Sequence, residues 1–407
     1  MAVTKKPPIG AQAQPADQKT VRRHNIGLVL NNIAKGGLRS RAKVSEETGL
    51  NPSTVSSLIG ELIERGLLRD VGVRLDGAVG RPGRGLELNP EGGAALGLEI
   101  SDEGLGVLAL DLSSTPRYRA FFSQPNRGRD PEDVVRQLAD LAREALTSFR
   151  SRNIEIACTI ALPGLVGGDG ELLEGPIIDW HQVPIQQLWH KYSDGLPVVL
   201  DNEARLAAYA ELTSGAATAL GTFAYISGGV GLGGGLVLDG RIFRGAHGFA
   251  GEFGHVAIER SDADGAWNGE GTVQLLAGEA TLARLAGLQS DTRPPLADVD
   301  WMGRHIAERV RAGDAQALAA VRQVGSALGV GLASLLNLLD MQAIVLGGYF
   351  SHLGPWLLEP IETQIKARVL SQRWCRSPIL FSAMGREAAV RGAAAWSLDV
   401  ILQRAAD

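Results

Sequence analysis

Residues 40–70, SRAKVSEETGLNPSTVSSLIGELIERGLLRD, predict two short helices joined by a tight turn. Ser40 is placed to cap the first helix, and Gly49 is placed to end it in a left-handed conformation. Asn51 is placed to cap the second helix, with Pro52 at its first position, where a missing N–H costs nothing. One apolar stripe then follows the second helix at helical spacing: Val55, Leu58, Ile59, Leu62 and Ile63. This arrangement is typical of a helix-turn-helix, whose second helix enters the major groove of DNA.

The residues around the start of this second helix are mostly small and hydroxylated. Such side chains suit an element that presses against phosphates and base edges. The candidates for DNA contact in the two helices are Arg41, Asn51, Pro52, Ser53, Thr54, Ser56 and Ser57. The alternative for this segment is a helical hairpin that merely packs against the rest of the protein.

The next segment, residues 71–90, VGVRLDGAVGRPGRGLELNP, predicts a two-stranded wing. Its turn carries Arg81 and Arg84 on a tip rich in glycine and proline, where a guanidinium can enter a minor groove. A solvated hairpin tip is the alternative reading of the wing alone. The helix-turn-helix and the basic wing together favour binding to double-stranded operator DNA.

The composition is that of an ordinary globular protein. The 407 residues are 45% hydrophobic and 21% charged, which is enough for two or three domains with substantial cores. Cys158 and Cys375 are too few for a disulfide framework or a thiolate metal site, so we expect a cytoplasmic protein. Residues 1–20 contain no apolar signal region and predict a disordered tail. The most apolar segment, residues 326–350, contains polar interruptions and predicts a buried helix followed by a strand, with no membrane partner.

Charge is distributed unevenly along the chain. Residues 1–90 contain 14 Lys+Arg and 8 Asp+Glu, a balance of +6. The remainder contains 40 − 14 = 26 basic and 45 − 8 = 37 acidic residues, a balance of −11. A basic head on an acidic body fits a DNA-binding module joined to a domain that does not bind DNA.

Strands and helices alternate beyond the wing, which predicts an α/β architecture. Strand–helix sets recur in two halves, which suggests a body with two lobes. We expect the winged helix-turn-helix at residues 21–90 and the body at residues 91–407. The first lobe is expected at about 91–196 together with a last helix at about 387–404, and the second lobe at about 197–386.

Several motifs resemble those of the ROK family, which groups sugar-responsive repressors and sugar kinases. These motifs include the helix-turn-helix, the GRP of the wing, DNEARLAAYAE at 201–211, GGVGLGGGLVLDGRIFRGAHGFAGEFGH at 228–255 and IVLGGYFS at 344–351. The resemblance is closest to transcriptional regulators of the xylose-repressor type. It implies a two-lobed, actin-like ATPase body (ribonuclease H-like) behind the winged helix-turn-helix.

The motifs that kinase members of the family use are altered in this chain. The Asp-x-Gly-x-Thr phosphate loop corresponds to residues 99–104, EISDEG, whose three carboxylates repel a polyphosphate. Val230 replaces the threonine of a Gly-Thr-Gly motif, and Glu203 replaces the catalytic aspartate. One extra methylene misplaces a general base, so we expect no kinase activity. We assign no catalytic residue.

The resemblance also implies an effector pocket for a sugar or sugar derivative. Carboxylates accept hydrogen bonds from adjacent hydroxyls, and histidine can accept or donate one. The implied effector-binding residues are Asn202, Glu203, Glu252, His255 and Gln274. The alternative for Glu252 and His255 is that they brace the hairpin against the other lobe.

A zinc site found in the family requires thiolate ligands that this chain does not have. The three positions that carry cysteine in the family hold Gly265, Trp267 and Thr272. Because soft ligands are missing there, we expect neither a metal nor another cofactor.

The sequence thus predicts a cytoplasmic regulator, a repressor of carbohydrate-related genes, that acts as a homodimer or a dimer of dimers. Two-fold operators require two copies of the reading helix. Two alternatives stay open: a regulator whose body binds no ligand or docks a protein, and an active ATP-dependent sugar kinase with a DNA-binding head.

Overall fold

The computed structural model describes residues 17–36, 38–73, 84–150, 154–259, 271–288 and 300–406. The chain divides into two compact units at Gly92/Gly93 and again at Asp399/Val400. We call residues up to Gly92, together with the segment from Val400, the head. Residues from Gly93 to Asp399 are the body.

The head contains the predicted helix-turn-helix and wing. Its elements are α1 (Gln18–Gly36), α2 (Arg41–Thr48), α3 (Pro52–Glu64), β1 (Leu68–Val73) and β2 (Arg84–Leu88). The two strands pair antiparallel, with Leu68 opposite Leu88. The caps form as expected: the Ser40 hydroxyl accepts from the Lys43 N–H, and Gly49 adopts φ +72°. The buried face of α3 consists of Val55, Leu58, Ile59 and Leu62.

Two details of the head differ from the sequence prediction. Helix α1 begins at Gln18, inside the segment expected to be a tail, because Asp17 accepts a hydrogen bond from the Thr20 N–H at 2.6 Å. The sequence predicts Arg84 on the wing tip, but its backbone begins β2 and pairs with Val73. Arg81 and the rest of the predicted tip lie outside the described residues.

The body contains two five-stranded sheets with the same topology. The first has the order β10-β6-β3-β4-β5, and the second has the order β13-β12-β11-β14-β15. In each sheet three consecutive antiparallel strands are followed by two parallel ones. The first sheet comprises β3 (Gly93–Ile100), β4 (Gly104–Asp111), β5 (Pro116–Ser123), β6 (Glu155–Leu162) and β10 (Val198–Asn202). The second comprises β11 (Phe223–Gly228), β12 (Leu232–Leu238), β13 (Arg241–Ile242), β14 (Ala343–Gly348) and β15 (Ile379–Phe381). This duplication confirms the two-lobed α/β fold predicted from the recurring strand–helix sets.

Helices and a small sheet complete the body. The small sheet is formed by β7 (Leu165–Val166), β8 (Leu172–Gly175) and β9 (Trp180–Val183). The helices that precede the second sheet are α4 (Pro131–Leu146), α5 (Ile185–Tyr192) and α6 (Glu203–Ser214). The later ones are α7 (Val273–Ala277), α8 (Glu279–Leu285), α9 (Trp301–Arg311), α10 (Ala315–Leu339), α11 (Phe350–Arg368) and α12 (Ala388–Ala406). Each large sheet has its own apolar core, with Trp189 fully buried in the first and Phe350 in the second.

Helix α10 is long and apolar enough by length and composition to cross a membrane. Half of its most apolar window is buried inside the protein. Leu328 and Leu332 are fully buried in the core of the second sheet, as predicted for a helix that packs within a domain. The strand predicted after it is β14.

Helix α12 belongs partly to each unit, which differs from its predicted place in the first lobe alone. Its residues up to Asp399 belong to the body, and its end belongs to the head. Within the head, Arg65, which follows α3, donates a hydrogen bond from Nη1 to the Ala405 carbonyl at 2.6 Å. This contact explains why the last residues group with the helix-turn-helix.

We expect Gly392→Ala to destabilise the body, because a Cβ there would lie 1.7 Å from the Leu206 carbonyl oxygen. Overpacking of this kind costs about 1–3 kcal/mol. The matched control is Gly168→Ala, whose Cβ would meet nothing within 4 Å. Urea unfolding followed by tryptophan fluorescence measures both. Equal midpoints for the two variants would contradict close backbone packing at Gly392.

Candidate functional sites

The start of α3 presents the surface predicted to contact DNA. The Asn51 side-chain oxygen accepts from the backbone N–H and from the hydroxyl of Ser53, both at 2.9 Å. Pro52, Ser53, Ser56 and Ser57 are exposed. The hydroxyls therefore line the face of α3 that is turned away from the apolar core of the head.

The other predicted DNA contacts are distributed around this surface. Thr54 is half-buried, at the edge of the exposed face. Arg41 begins α2, and its Nη1 lies 4.0 Å from Asp70 Oδ2 on β1. Of the two wing arginines, Arg81 lies outside the described residues and only the backbone of Arg84 is described. The structure therefore places the α3 candidates together at one end of that helix and Arg41 beside β1, and the predicted wing contacts stay a prediction.

The body contains a cleft of about 150 Å³ lined by both sheets. Its walls include the end of β3, the β11–β12 hairpin, the start of α6 and the turn before α12. The lining includes six carboxyl groups: Glu99, Asp102, Glu103, Glu203, Glu279 and Asp300. Arg386 is the one lysine or arginine among the described residues that line it.

Two of these carboxyl groups have strongly perturbed acidity. Burial raises the pKa of Glu99 to about 8, and the neighbouring charge of Glu203 contributes in the same direction. Burial also raises the pKa of Glu203 to about 7, with a smaller contribution from Asp102. Desolvation raises the pKa of a carboxyl group because the charged carboxylate depends on hydration more than the neutral acid does.

Glu99 and Arg386 face the same space without forming an ion pair. Glu99 is only 8% exposed, and no hydrogen bond or ion pair of its side chain is present among the described residues. Arg386 Nη2 is buried and likewise has no hydrogen-bond partner in the described part of the chain. Its guanidinium instead lies over the Phe121 ring, 3.1 Å from the ring centroid. The sequence marks Glu99 as an altered phosphate-loop position, but no pattern points to Arg386.

The predicted effector residues occupy different places in the body. Glu203 lines the cleft, whereas the side chain of Asn202 caps α6. The Asn202 amide oxygen accepts from Ala204 N–H at 2.9 Å, and its nitrogen donates to the Gly164 carbonyl at 3.0 Å. Gln274 accepts a hydrogen bond from the Leu232 N–H at 3.1 Å, which braces the start of β12.

Glu252 immediately precedes a one-turn 3-10 helix, Phe253–His255, next to β12, and His255 is its last residue. Glu252 is half-buried and His255 is exposed. Burial raises the pKa of Glu252, while the nearby charges of His255 and Arg205 act in the opposite direction. These two residues are therefore electrostatic neighbours, and neither lines the described cleft.

The zinc site that the resemblance implies for the family uses cysteine at three positions, and one of these positions lies in the described part of the chain. Thr272 is buried at one of the positions that carry cysteine there, and Cys158 lies buried in β6 instead. The other two such positions, Gly265 and Trp267, lie outside the described residues. Within the described ranges, no group of three or more His, Cys, Asp or Glu is placed to hold a metal ion.

Known proteins provide a comparison for both units. The model of the ROK family matches residues 96–400. The xylose repressor of Bacillus subtilis is 30% identical over 392 residues, which cover 95% of this chain and 98% of that protein. A crystal structure of a ROK family transcriptional regulator, a homologue of the E. coli MLC protein, has a TM-score of 0.76 at 25% identity and covers 95% of this chain and 97% of its own.

A kinase structure matches a smaller part of the chain. The ROK family glucokinase from Streptomyces griseus, in complex with glucose and AMPPNP, has a TM-score of 0.60 at 27% identity. It covers 74% of this chain and 98% of its own. About a quarter of this chain therefore has no counterpart in the glucokinase, whereas the regulators match nearly all of it. The predicted resemblance and fold are confirmed.

We expect the stability of the protein to fall as the pH rises from about 5 to about 8. The pKa of an ordinary glutamate is 4.5, and burial raises that of Glu99 to about 8. Between these two values Glu99 binds more protons in the folded state than in the unfolded state, so stability decreases with pH in this window. Glu99→Gln removes this titration and should flatten the dependence, most visibly at pH 8. Thermal unfolding between pH 5 and pH 8.5 measures it, and identical profiles for the two proteins would contradict a buried, proton-binding Glu99.

Proposed function

Because this chain belongs to the ROK family, we propose that it is a sequence-specific DNA-binding transcriptional regulator, a repressor of carbohydrate-related genes controlled by a sugar. The observation that carries this proposal is the exposed hydroxyl surface of α3 in a head that ROK regulators share. A winged helix-turn-helix inserts such a helix in the major groove, while the wing reaches the adjacent groove.

The proposed active species is a homodimer or a dimer of dimers in the cytoplasm. A two-fold operator needs two copies of α3, one for each half-site. Ser53, Ser56 and Ser57 would contact bases or phosphates, and Arg41 would contact the backbone. Arg81 and Arg84 would add electrostatic affinity through the wing.

The proposed effector is a sugar or sugar derivative held in the body. Glu252, which is half-buried, and its electrostatic neighbour His255 supply polar groups that can accept hydrogen bonds from, or donate them to, sugar hydroxyls. Asn202 and Gln274 would support the pocket as much as contact the ligand, since the cap of α6 and the start of β12 depend on them. Sugar binding would shift the body between two arrangements, and DNA binding would weaken sugar binding by the same factor.

We propose that the body is not catalytic and holds no zinc. Glu99, Asp102 and Glu103 line the cleft at the position of the kinase phosphate loop, where carboxylates oppose a polyphosphate. Val230 lies at the tip of the β11–β12 hairpin without a hydroxyl to donate. These features argue against phosphoryl transfer.

We expect Ser56→Glu to weaken operator binding by about tenfold or more, because the carboxylate would face the phosphates of the groove. Ser56→Ala should have a smaller effect, about fivefold, the worth of one hydrogen bond. The operator is first selected from genomic DNA fragments with the purified wild-type protein. Titration by fluorescence anisotropy then compares the variants.

Ser334→Glu serves as the control for this experiment. Ser334 is exposed on α10 of the body, so the added charge is the same but the place differs. Operator affinity equal to that of the wild type in Ser56→Glu would contradict the assignment of α3 as the reading helix.

We expect one or more monosaccharides to raise the melting temperature and to weaken operator binding, with no ADP formed from ATP. Glu252→Gln should reduce the sugar response by about fivefold, since an amide replaces a carboxylate that accepts two hydrogen bonds. Glu308→Gln, on the exposed side of α9, is the matched control. Operator binding without any sugar response would favour a regulator that binds no ligand, and ADP formation would favour a kinase.

A further inference from the structure

The three most exposed large apolar side chains of the described residues lie on two neighbouring segments of the body. Leu338, near the end of α10, is 80% exposed, and Leu370 and Trp374, after α11, are 86% and 79% exposed. The next most exposed large apolar side chain in the described ranges, Leu275, is only 48% exposed. Single exposed apolar residues are common on protein surfaces, but a group of them marks an interaction surface.

The side chain of Asn337 joins these two segments. Its amide nitrogen donates a hydrogen bond to the Arg368 carbonyl, and its amide oxygen accepts one from the Leu370 N–H, both at 3.0 Å. Because Leu338 follows Asn337 directly, the two exposed leucines belong to the same part of the surface.

The segment that carries Trp374 is held in a turn. The N–H of Trp374 donates to the Ser371 carbonyl at 2.9 Å. Beyond the turn, the Ser377 hydroxyl donates to the Met341 carbonyl at 2.6 Å, which ties the segment to the residues that follow α10. The fold therefore uses polar side chains to hold an apolar group in contact with water. We call Leu338 and residues 366–376 the α10–α11 patch.

Basic residues surround the apolar side chains of the α10–α11 patch. Residues 366–376, KARVLSQRWCR, contain four basic residues and no acidic one. Lys366 pairs with Glu362 at 3.2 Å. Arg373 and Arg376 are exposed, and neither forms an ion pair with any residue that the structure describes. The patch is therefore positive, although residues 91–407 as a whole carry a balance of −11.

We propose that the α10–α11 patch docks an acidic amphipathic segment of a partner protein. Apolar side chains of this segment pack on Leu338, Leu370 and Trp374. Its carboxylates pair with Arg373 and Arg376, whose charges the chain itself leaves without a counterion in the described ranges. The patch belongs to the body, so this interaction is an additional one to the binding of DNA by the head.

The charge of the patch disfavours three other occupants. Two copies of this chain that met through it around a two-fold axis would place four basic residues opposite four others. Nucleic acid would pair with the arginines but would leave Leu338, Leu370 and Trp374 without an apolar partner. An anionic bilayer is an extended surface that would also repel the acidic remainder of the body, whereas a short segment meets the patch alone.

Binding of a synthetic peptide to the full chain tests the proposal. The probe is a fluorescent peptide of about 14 residues, four helical turns, with Leu on its apolar face and Glu elsewhere. A second peptide carries Lys in place of Glu. We expect fluorescence anisotropy to show binding of the Glu peptide and none of the Lys peptide. Excess duplex DNA should not displace the Glu peptide, because DNA occupies the basic head.

Cys375 provides a readout at the patch itself. It is exposed beside Trp374, whereas Cys158, the other cysteine of the chain, is buried. N-ethylmaleimide therefore modifies the folded protein at Cys375. A saturating concentration of the Glu peptide should slow this modification about fivefold or more, and the Lys peptide should leave its rate unchanged.

Variants show which side chains hold the peptide. Arg373→Glu combined with Arg376→Glu should weaken binding of the Glu peptide about tenfold or more, because carboxylates would then face carboxylates. Trp374→Ser should also weaken it, since an apolar anchor is lost. The matched control is Arg322→Glu, on the exposed side of α10 but sixteen residues before Leu338. All of these side chains are exposed, and an unchanged melting temperature shows that each variant is folded.

Four results would overturn the proposal. The Glu peptide fails to bind or to protect Cys375, or its binding survives the double arginine variant. Loss of self-association in the double variant, measured by analytical ultracentrifugation, would identify a second copy of this chain as the occupant instead. Loss of binding to phosphatidylserine vesicles in that variant would identify a membrane surface. None of these results bears on operator binding by α3, which is measured separately.

Discussion

The close approach of α12 to the first sheet and to α6 constrains much of the molecule. A Cβ on Gly97 would lie 2.2 Å from the Val390 carbonyl oxygen, and one on Gly392 would lie 1.7 Å from that of Leu206. The Ser397 hydroxyl, fully buried, donates to the Leu96 carbonyl at 2.8 Å. Because even a Cβ does not fit at either glycine, the backbones pack closely and leave little room for the helix to rotate or slide. They also fix the turn immediately before α12, which carries Arg386 into the cleft.

The same turn explains why Arg386 does not form an ion pair with Glu99 in the cleft. Arg386 stands on the last turn before a tightly packed helix, and its guanidinium lies over Phe121. Burial lowers the pKa of Arg386 below its usual value, and the acidic neighbours Glu99 and Glu103 oppose that shift. The guanidinium is therefore an electrostatic neighbour of Glu99 without being its hydrogen-bond partner.

Sequence alone predicted the elements whose residues carry local information. Ser40, Gly49 and Asn51 have capping roles that depend on neighbours within a few residues, and the structure places each cap as expected. The two-lobed fold of the body was also predictable from the sequence, because strand–helix sets recur along the chain. The roles of Gly392 and Arg386 were not predictable from the sequence. They depend on contacts with Leu206 and Phe121, which are distant in sequence.

The predicted effector residues show the same limit of prediction from sequence. Glu203 was predicted from its place in the motif, and it does line the cleft. Asn202 came from the same motif, yet its side chain is engaged in capping α6 and in binding the Gly164 carbonyl. A motif gives residue types in order along the chain, but it does not show which hydrogen bonds the fold has already taken. That distinction requires coordinates.

The position of Glu99 links the cleft to the stability of the body. Desolvation and the nearby charge of Glu203 raise the pKa of Glu99 to about 8, so at neutral pH the folded state binds a proton there that the unfolded state releases. Burial raises the pKa of Glu203 to about 7 for the same physical reason. Because Arg386 is held over Phe121, it lowers the pKa of Glu99 through its charge alone, without a hydrogen bond. The packing that fixes Arg386 therefore also leaves the desolvation of Glu99 as the larger effect.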